Sequence, residues 1–142
     1  MKVNRLNIIK TITNLVRNPE IYKFAIVGVC SALSTLSLTI LFTSGLGIFY
    51  VISVAVAQEI TLIWSFFVHE NWTFAKIPKI TNIKIRFIKY NTLALIGVGV
   101  NEAVLILLTS QVKLHYTISE VIAIFVAFFF NYLVHKKISW KS

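Results

Sequence analysis

Apolar residues run in four long blocks, broken by short segments that carry the polar residues and most of the charge. The blocks fall at about Tyr22–Ser44, Phe49–Val68, Phe87–Ser110 and Tyr116–Val134. Each is near the ~20 residues a helix needs to cross a bilayer. Gly45-Leu46-Gly47 reads as a tight turn between the first two blocks, and Gln111-Val112-Lys113-Leu114-His115 plays that part in the second pair. The only long connection is Glu70–Arg86, which carries Pro78. The pattern predicts an all-α membrane protein with four transmembrane helices arranged as two helical hairpins.

Ahead of the first block, Leu6, Ile9, Ile12 or Thr13, and Val16 recur at helical spacing, with Lys2, Arg5, Lys10 and Arg17 between them. Such a segment, residues 1–20, is expected to form a basic amphipathic helix on the membrane surface. Residues 21–142 are then the transmembrane domain, with repeats at about 20–76 and 86–142.

The repeats rest on a shift of 66 residues, the difference between His135 and His69. Without a gap, this shift also places Lys23 on Lys89, Phe24 on Tyr90, Thr43-Ser44 on Thr109-Ser110, Tyr50 on Tyr116, Ser53 on Ser119 and Ala57 on Ala123. Ile and Leu coincidences are cheap in an apolar chain. The polar and aromatic ones point to an internal duplication.

Composition agrees with a bilayer protein. The chain of 142 residues is 57% hydrophobic and 13% charged, with mean hydropathy +0.80, against about 25% charged residues in soluble domains. The net charge of +9 sits at the ends of apolar blocks and not on a base-stacking scaffold, so nucleic acid is not an expected partner. Thirteen of the fourteen Lys and Arg share one face, with Lys113 alone on the other. The positive-inside rule makes that face, and both termini, cytoplasmic, which implies a multi-pass protein of the plasma (cytoplasmic) membrane. An even number of spans per repeat makes the repeats parallel.

Catalytic chemistry has little support. There is no Asp, no phosphate loop and no Cys/His metal spacing, and Cys30 is the only cysteine. No enzyme activity, metal or cofactor is expected. The polar residues at membrane depth are a different matter, because a buried charge costs on the order of 3 kcal/mol. Gln58, Glu59, Thr61, Ser65, Asn101, Glu102 and Asn131 are candidates for an intramembrane polar path. Gln58, Thr61, Ser65 and His69 are expected on one helix face, answered by Glu120, Ala123, Ala127, Asn131 and His135. At one rim, Lys23, Arg86, Lys89, His69, His135, Lys136 and Lys137 are candidates for binding a lipid phosphate, beside an aromatic rim of Trp72, Phe74 and Trp140.

At these residues the chain resembles the GtrA-like family of small four-span membrane proteins. The motifs are Phe66-Phe67-Val68-His69-Glu70-Asn71-Trp72-Thr73-Phe74 and Asn131-Tyr132-Leu133-Val134-His135-Lys136-Lys137-Ile138-Ser139-Trp140, with Phe24-Ala25-Ile26-Val27-Gly28 and Arg86-Phe87. Ser65 and Glu70 depart from the family pattern, and Ile138-Ser139-Trp140 is a loose form of its Trp-Thr-Phe. The resemblance implies work in cell-surface polysaccharide or glycan synthesis, as a flippase for a polyprenyl-phosphate-linked sugar. The alternative it implies is a non-catalytic subunit that anchors or stabilises a glycosyltransferase partner. A small proton-coupled multidrug exporter is a third reading, which the charge bias argues against. Four short helices enclose little volume, so a homodimer is a further expectation.

Overall fold

The computed structural model describes residues 17–140, so most of the expected surface helix lies outside the described residues. All regular structure among the described residues is helical. The first helix starts on Asn18 and Pro19. Asn18 is extended and its side chain accepts a hydrogen bond from the Glu20 N–H at 3.0 Å. Pro19 follows at the head of the helix, where its missing N–H costs nothing. This helix, α1 (Pro19–Ile40), widens into a π-helical turn at Leu41–Gly45. Helix α2 (Tyr50–Val68) returns and widens at His69–Thr73. Helix α3 (Ile83–Ile106) widens at Leu107–Gln111, and α4 (Tyr116–Val134) at His135–Trp140.

With these turns the spans contain 27, 24, 29 and 25 residues. At ~1.5 Å per residue each exceeds the ~30 Å hydrocarbon core. Most of their large aliphatic side chains face outward. The protein is a multi-pass membrane protein. The third helix begins at Ile83, about a turn before the position expected from hydrophobicity. Asn82 explains the difference, because its side chain accepts from the Lys84 N–H at 3.1 Å and caps the helix. Lys84 and Arg86 therefore belong to α3 and not to the connecting loop.

The chain divides into two units, Met1–Ala75 and Lys76–Ser142. In the first, α1 packs antiparallel on α2, with Phe24 against His69 and Thr35 against Thr61. In the second, α3 packs on α4, with Tyr90 against His135 and Gly97 against Asn131. Element bounds recur 66 residues apart: Tyr50–Val68 and Tyr116–Val134, Leu41–Gly45 and Leu107–Gln111.

The turns recur as well. The Leu46 N–H donates to the Leu41 carbonyl at 3.1 Å, and the Val112 N–H to the Leu107 carbonyl at 3.3 Å. Gly47 (φ 67°) then reverses the chain in the first unit and Lys113 (φ 62°) in the second. Glycine is at ease in this left-handed region, whereas lysine holds it at a cost.

The buried stripe of α2 is Ser53, Ala57, Thr61 and Ser65, and that of α4 is Ser119, Ala123 and Ala127. Small side chains let membrane helices approach closely. The expected face of α2 included Gln58, which is exposed; Ala57 takes its place. In α4, Ser119 is fully buried and Glu120 only half-buried. The packed face thus advances by four residues at each step.

Candidate functional site

Each unit ends in the same kind of cluster, built on its last wide turn. In the first, His69 Nδ1 and Thr73 Oγ1 are hydrogen-bonded at 2.9 Å across four residues. The imidazole stacks on Phe24 with centroids 4.7 Å apart, and Phe74 lies 5.7 Å away. In the second, His135 Nδ1 and Ser139 Oγ are hydrogen-bonded at 3.4 Å. Tyr90 lies 4.6 Å from the imidazole and Trp140 lies 6.1 Å from it. Both histidines are 3% exposed, and Phe74 and Trp140 are fully buried. These four residues, expected at a rim, are buried: aromatic rings flank each imidazole and a hydroxyl meets its Nδ1.

The cations of these ends range from buried to exposed, and Trp72 is exposed. Lys23 donates to the Trp72 carbonyl at 3.1 Å, with its ammonium 5.2 Å from the Trp72 ring centroid. Trp72 is 42% exposed, which suits an amphipathic ring at a membrane boundary. Arg86 is buried and donates to the Thr81 carbonyl. Lys89 and Lys136 are half-buried, and Lys137 is exposed. Lys136 donates to the Tyr132 hydroxyl at 3.4 Å and lies 5.7 Å from that ring.

The two helix seams differ. In the first unit the Thr35 hydroxyl donates to the Thr61 hydroxyl at 3.0 Å, tying α1 to α2. Ser65 bonds back to the Leu62 carbonyl at 3.1 Å. In the second unit Asn101 and Ala127 occupy the places of Thr35 and Thr61. A cavity of 320 Å³ opens there, lined by Gly97, Asn101, Ala127, Phe128 and Asn131 among others. The Asn131 amide lies against the Gly97 backbone. A Cβ on Gly97 would overlap it, coming within 2.6 Å of its Cγ. Asn131 Oδ1 is buried and accepts no hydrogen bond. At the turn end of the same seam, a second cavity of 590 Å³ is flanked by Thr109, Thr117 and Glu120.

The family that matches this chain is described as the GtrA/DPMS transmembrane domain, and the match runs over residues 23–140, from Lys23 through both clusters to Trp140. The chain belongs to the GtrA/DPMS transmembrane domain family. Among its relatives is a dolichol-phosphate mannosyltransferase of Pyrococcus furiosus, 32% identical over 123 residues. That alignment covers 87% of this chain and 34% of the relative, so the chain spans about a third of the relative's length.

Within this GtrA/DPMS domain, the expected polar residues divide into three sets. Asn101 and Asn131 share the cavity of the second unit. Thr61 and Ser65 are buried and bonded in the first unit. Gln58, Glu59 and Glu102 are exposed and line neither cavity of the second unit. Among the described residues, no group of three His, Cys, Asp or Glu side chains is placed to hold a metal ion. A further pocket lies in the long connection. The loop residues Lys76, Ile77, Pro78 and Ile80 form a pocket of 350 Å³ with Lys136. The signal available was Pro78 between aliphatic residues and next to lysines, in a segment read only as a connection.

Proposed function

We propose that this GtrA/DPMS domain acts in glycan biosynthesis by moving a polyprenyl-phosphate-linked sugar between the leaflets of the cytoplasmic membrane, with both termini on the cytoplasmic side. The observation that carries this reading is the seam of the second hairpin. It offers Asn131, with its unused acceptor, and Asn101 to a cavity at membrane depth, where polar groups are otherwise costly. Sugar hydroxyls supply the donors that the Asn131 carbonyl oxygen lacks. The lipid tail stays outside the helices, and the cations at the hairpin ends (Lys23, Lys89, Lys136 and Lys137) attract the phosphate. The test is transfer of a polyprenyl-phosphate hexose across liposomes containing the purified protein. Transfer above empty liposomes, slowed about tenfold by Asn131→Leu, is the expected result. Transfer no faster than in empty liposomes ends the proposal.

A second reading has its own support. The relative named as a dolichol-phosphate mannosyltransferase is nearly three times as long as the shared segment, which suits a membrane part that serves a glycosyltransferase. On this reading the protein anchors such an enzyme and catalyses nothing itself. Co-purification of a glycosyltransferase, with sugar transfer lost on deletion and no movement of lipid in isolation, selects it over translocation.

A further inference from the structure

We infer that the 590 Å³ cavity at the turn end of the second hairpin is a binding site for a primary ammonium group carried on an apolar body. The site goes beyond translocation and does not depend on it. It sits at the far end of the hairpin from the histidine cluster, where α3 widens and α4 begins. Leu105 and Ile106 wall it from one helix and Val121 from the other. A cavity of this size, mostly hydrocarbon with a few polar groups, has the usual make-up of a small-molecule site.

The polar groups decide what it takes. Glu120 is the one acid in the lining, and no Lys, Arg or His joins it. The cations of the turn, Lys113 and His115, lie outside the lining. Among the described residues, none forms a hydrogen bond or ion pair with the half-buried Glu120 carboxylate. Thr109 Oγ1 is buried and also has no hydrogen-bond partner. Acceptors left alone beside hydrocarbon are costly. A primary ammonium brings three N–H donors, which suit a carboxylate and a hydroxyl oxygen, and its bond to the carboxylate is charge-assisted. The aromatic ring of Tyr116 stands at the same cavity, and such rings attract cations. The aliphatic walls suit the rest of an amphipathic amine. An anionic ligand would meet a like charge with no cation to offset it.

The first hairpin shows what the site adds. Sixty-six residues earlier, Thr43, Ser44 and Tyr50 stand in the places of Thr109, Ser110 and Tyr116. Thr43 Oγ1 is likewise buried and unpartnered. Val54, however, stands in the place of Glu120, and Val51 in that of Thr117. The hydroxyl frame is common to both hairpins, and the charge belongs to the second alone. Since the first hairpin closes its turn with valine at this position, the fold does not require the acid. A carboxylate set among apolar side chains at the end of a membrane span needs a cation or a polar partner, and the hairpin itself supplies neither.

The test uses the purified full chain in a non-ionic detergent at neutral pH, where an alkylamine is protonated. Binding is read by calorimetric titration, with octylamine as the probe. Octylamine should bind about tenfold more tightly than octanol or octanoate. Octyltrimethylammonium keeps the charge but has no N–H, and should bind about threefold more weakly than octylamine. Glu120→Gln keeps the shape of the side chain and should weaken octylamine about tenfold, with octanol binding unchanged. Thr109→Val should weaken octylamine about threefold. Equal binding of octylamine and octanol by the wild type overturns the site without any variant, because it shows a groove that takes any short chain. Octylamine binding that survives Glu120→Gln overturns it too, because the amine then sits elsewhere. Octanol binding lost together with octylamine in Glu120→Gln also counts against it, since the acid then supports the fold and not the ligand. Octyltrimethylammonium bound as tightly as octylamine overturns the choice of a primary amine.

Discussion

The two hairpins share the length of their second helix, their wide turns and their aromatic–histidine ends, yet they treat the middle of the helix seam in opposite ways. In the first, Thr35 and Thr61 meet at 3.0 Å and tie the helices together. In the second, the equivalent pair is Asn101 and Ala127, and a 320 Å³ cavity opens beside an Asn131 oxygen that accepts nothing. A hydroxyl pair satisfies itself locally. Ala127 has no hydroxyl, so that tie between helices is missing from the second seam. Around the 320 Å³ cavity, Asn101, Ala127 and Asn131 stand where the first hairpin has Thr35, Thr61 and Ser65.

The two hairpins should differ most at Gly97. Gly97→Ala drives a methyl into the Asn131 amide, and overpacking of this kind costs about 2 kcal/mol. Gly28→Ala in the first hairpin is the control, since a Cβ there meets nothing within 4 Å. Thermal or denaturant unfolding in detergent should separate the two variants clearly. If they unfold alike, the seam of the second hairpin is not the constrained one.

A smaller effect is expected at the hydroxyl pair. Thr35→Val removes the donor to Thr61, and interhelical bonds of this sort in membranes contribute about 0.6 kcal/mol and at most about 1.7. Unfolding should shift by that amount, with lipid transfer unchanged. Loss of transfer in this variant would show that the first hairpin takes part in it.

The smallest effect sharpens the likeness of the two halves. Lys113 occupies the left-handed conformation that Gly47 occupies 66 residues earlier. Lys113→Gly should raise stability by up to about 1 kcal/mol, by removing a strained side chain at some entropic cost. Gly47→Ala should lower it by about the same amount. These are the expected signs in unfolding measurements, and a destabilising Lys113→Gly would mean the two turns are not equivalent.

Hydrophobic blocks made the four helices legible, because length and apolarity are written residue by residue. Helix starts were less so. The start of α3 depends on one side-chain bond from Asn82, which an average over apolar residues does not see. Asn101 and Asn131 were legible as polar residues at membrane depth, but not the reason the amide fits, which is the missing Cβ of Gly97. The burial of the histidines was not legible. His69 and His135 sit beside lysines and tryptophans in sequence, yet the wide turns direct them inward onto Phe24 and Tyr90. Gln58 misled by a single residue, since only the packed structure shows that the seam advances in steps of four. The Lys76–Lys136 pocket joins residues sixty apart, and no local pattern announces such a meeting.

The unpaired Asn131 oxygen has a practical consequence. A buried acceptor without a donor weakens a fold by the cost of its desolvation. A molecule that binds the folded hairpin and supplies the donor therefore raises its resistance to heat, by about 2.7 kcal/mol at a hundred times its dissociation constant. Candidate sugars and glycolipids can be ranked by melting temperature alone, before any transport assay exists, and Asn131→Leu should erase the ranking.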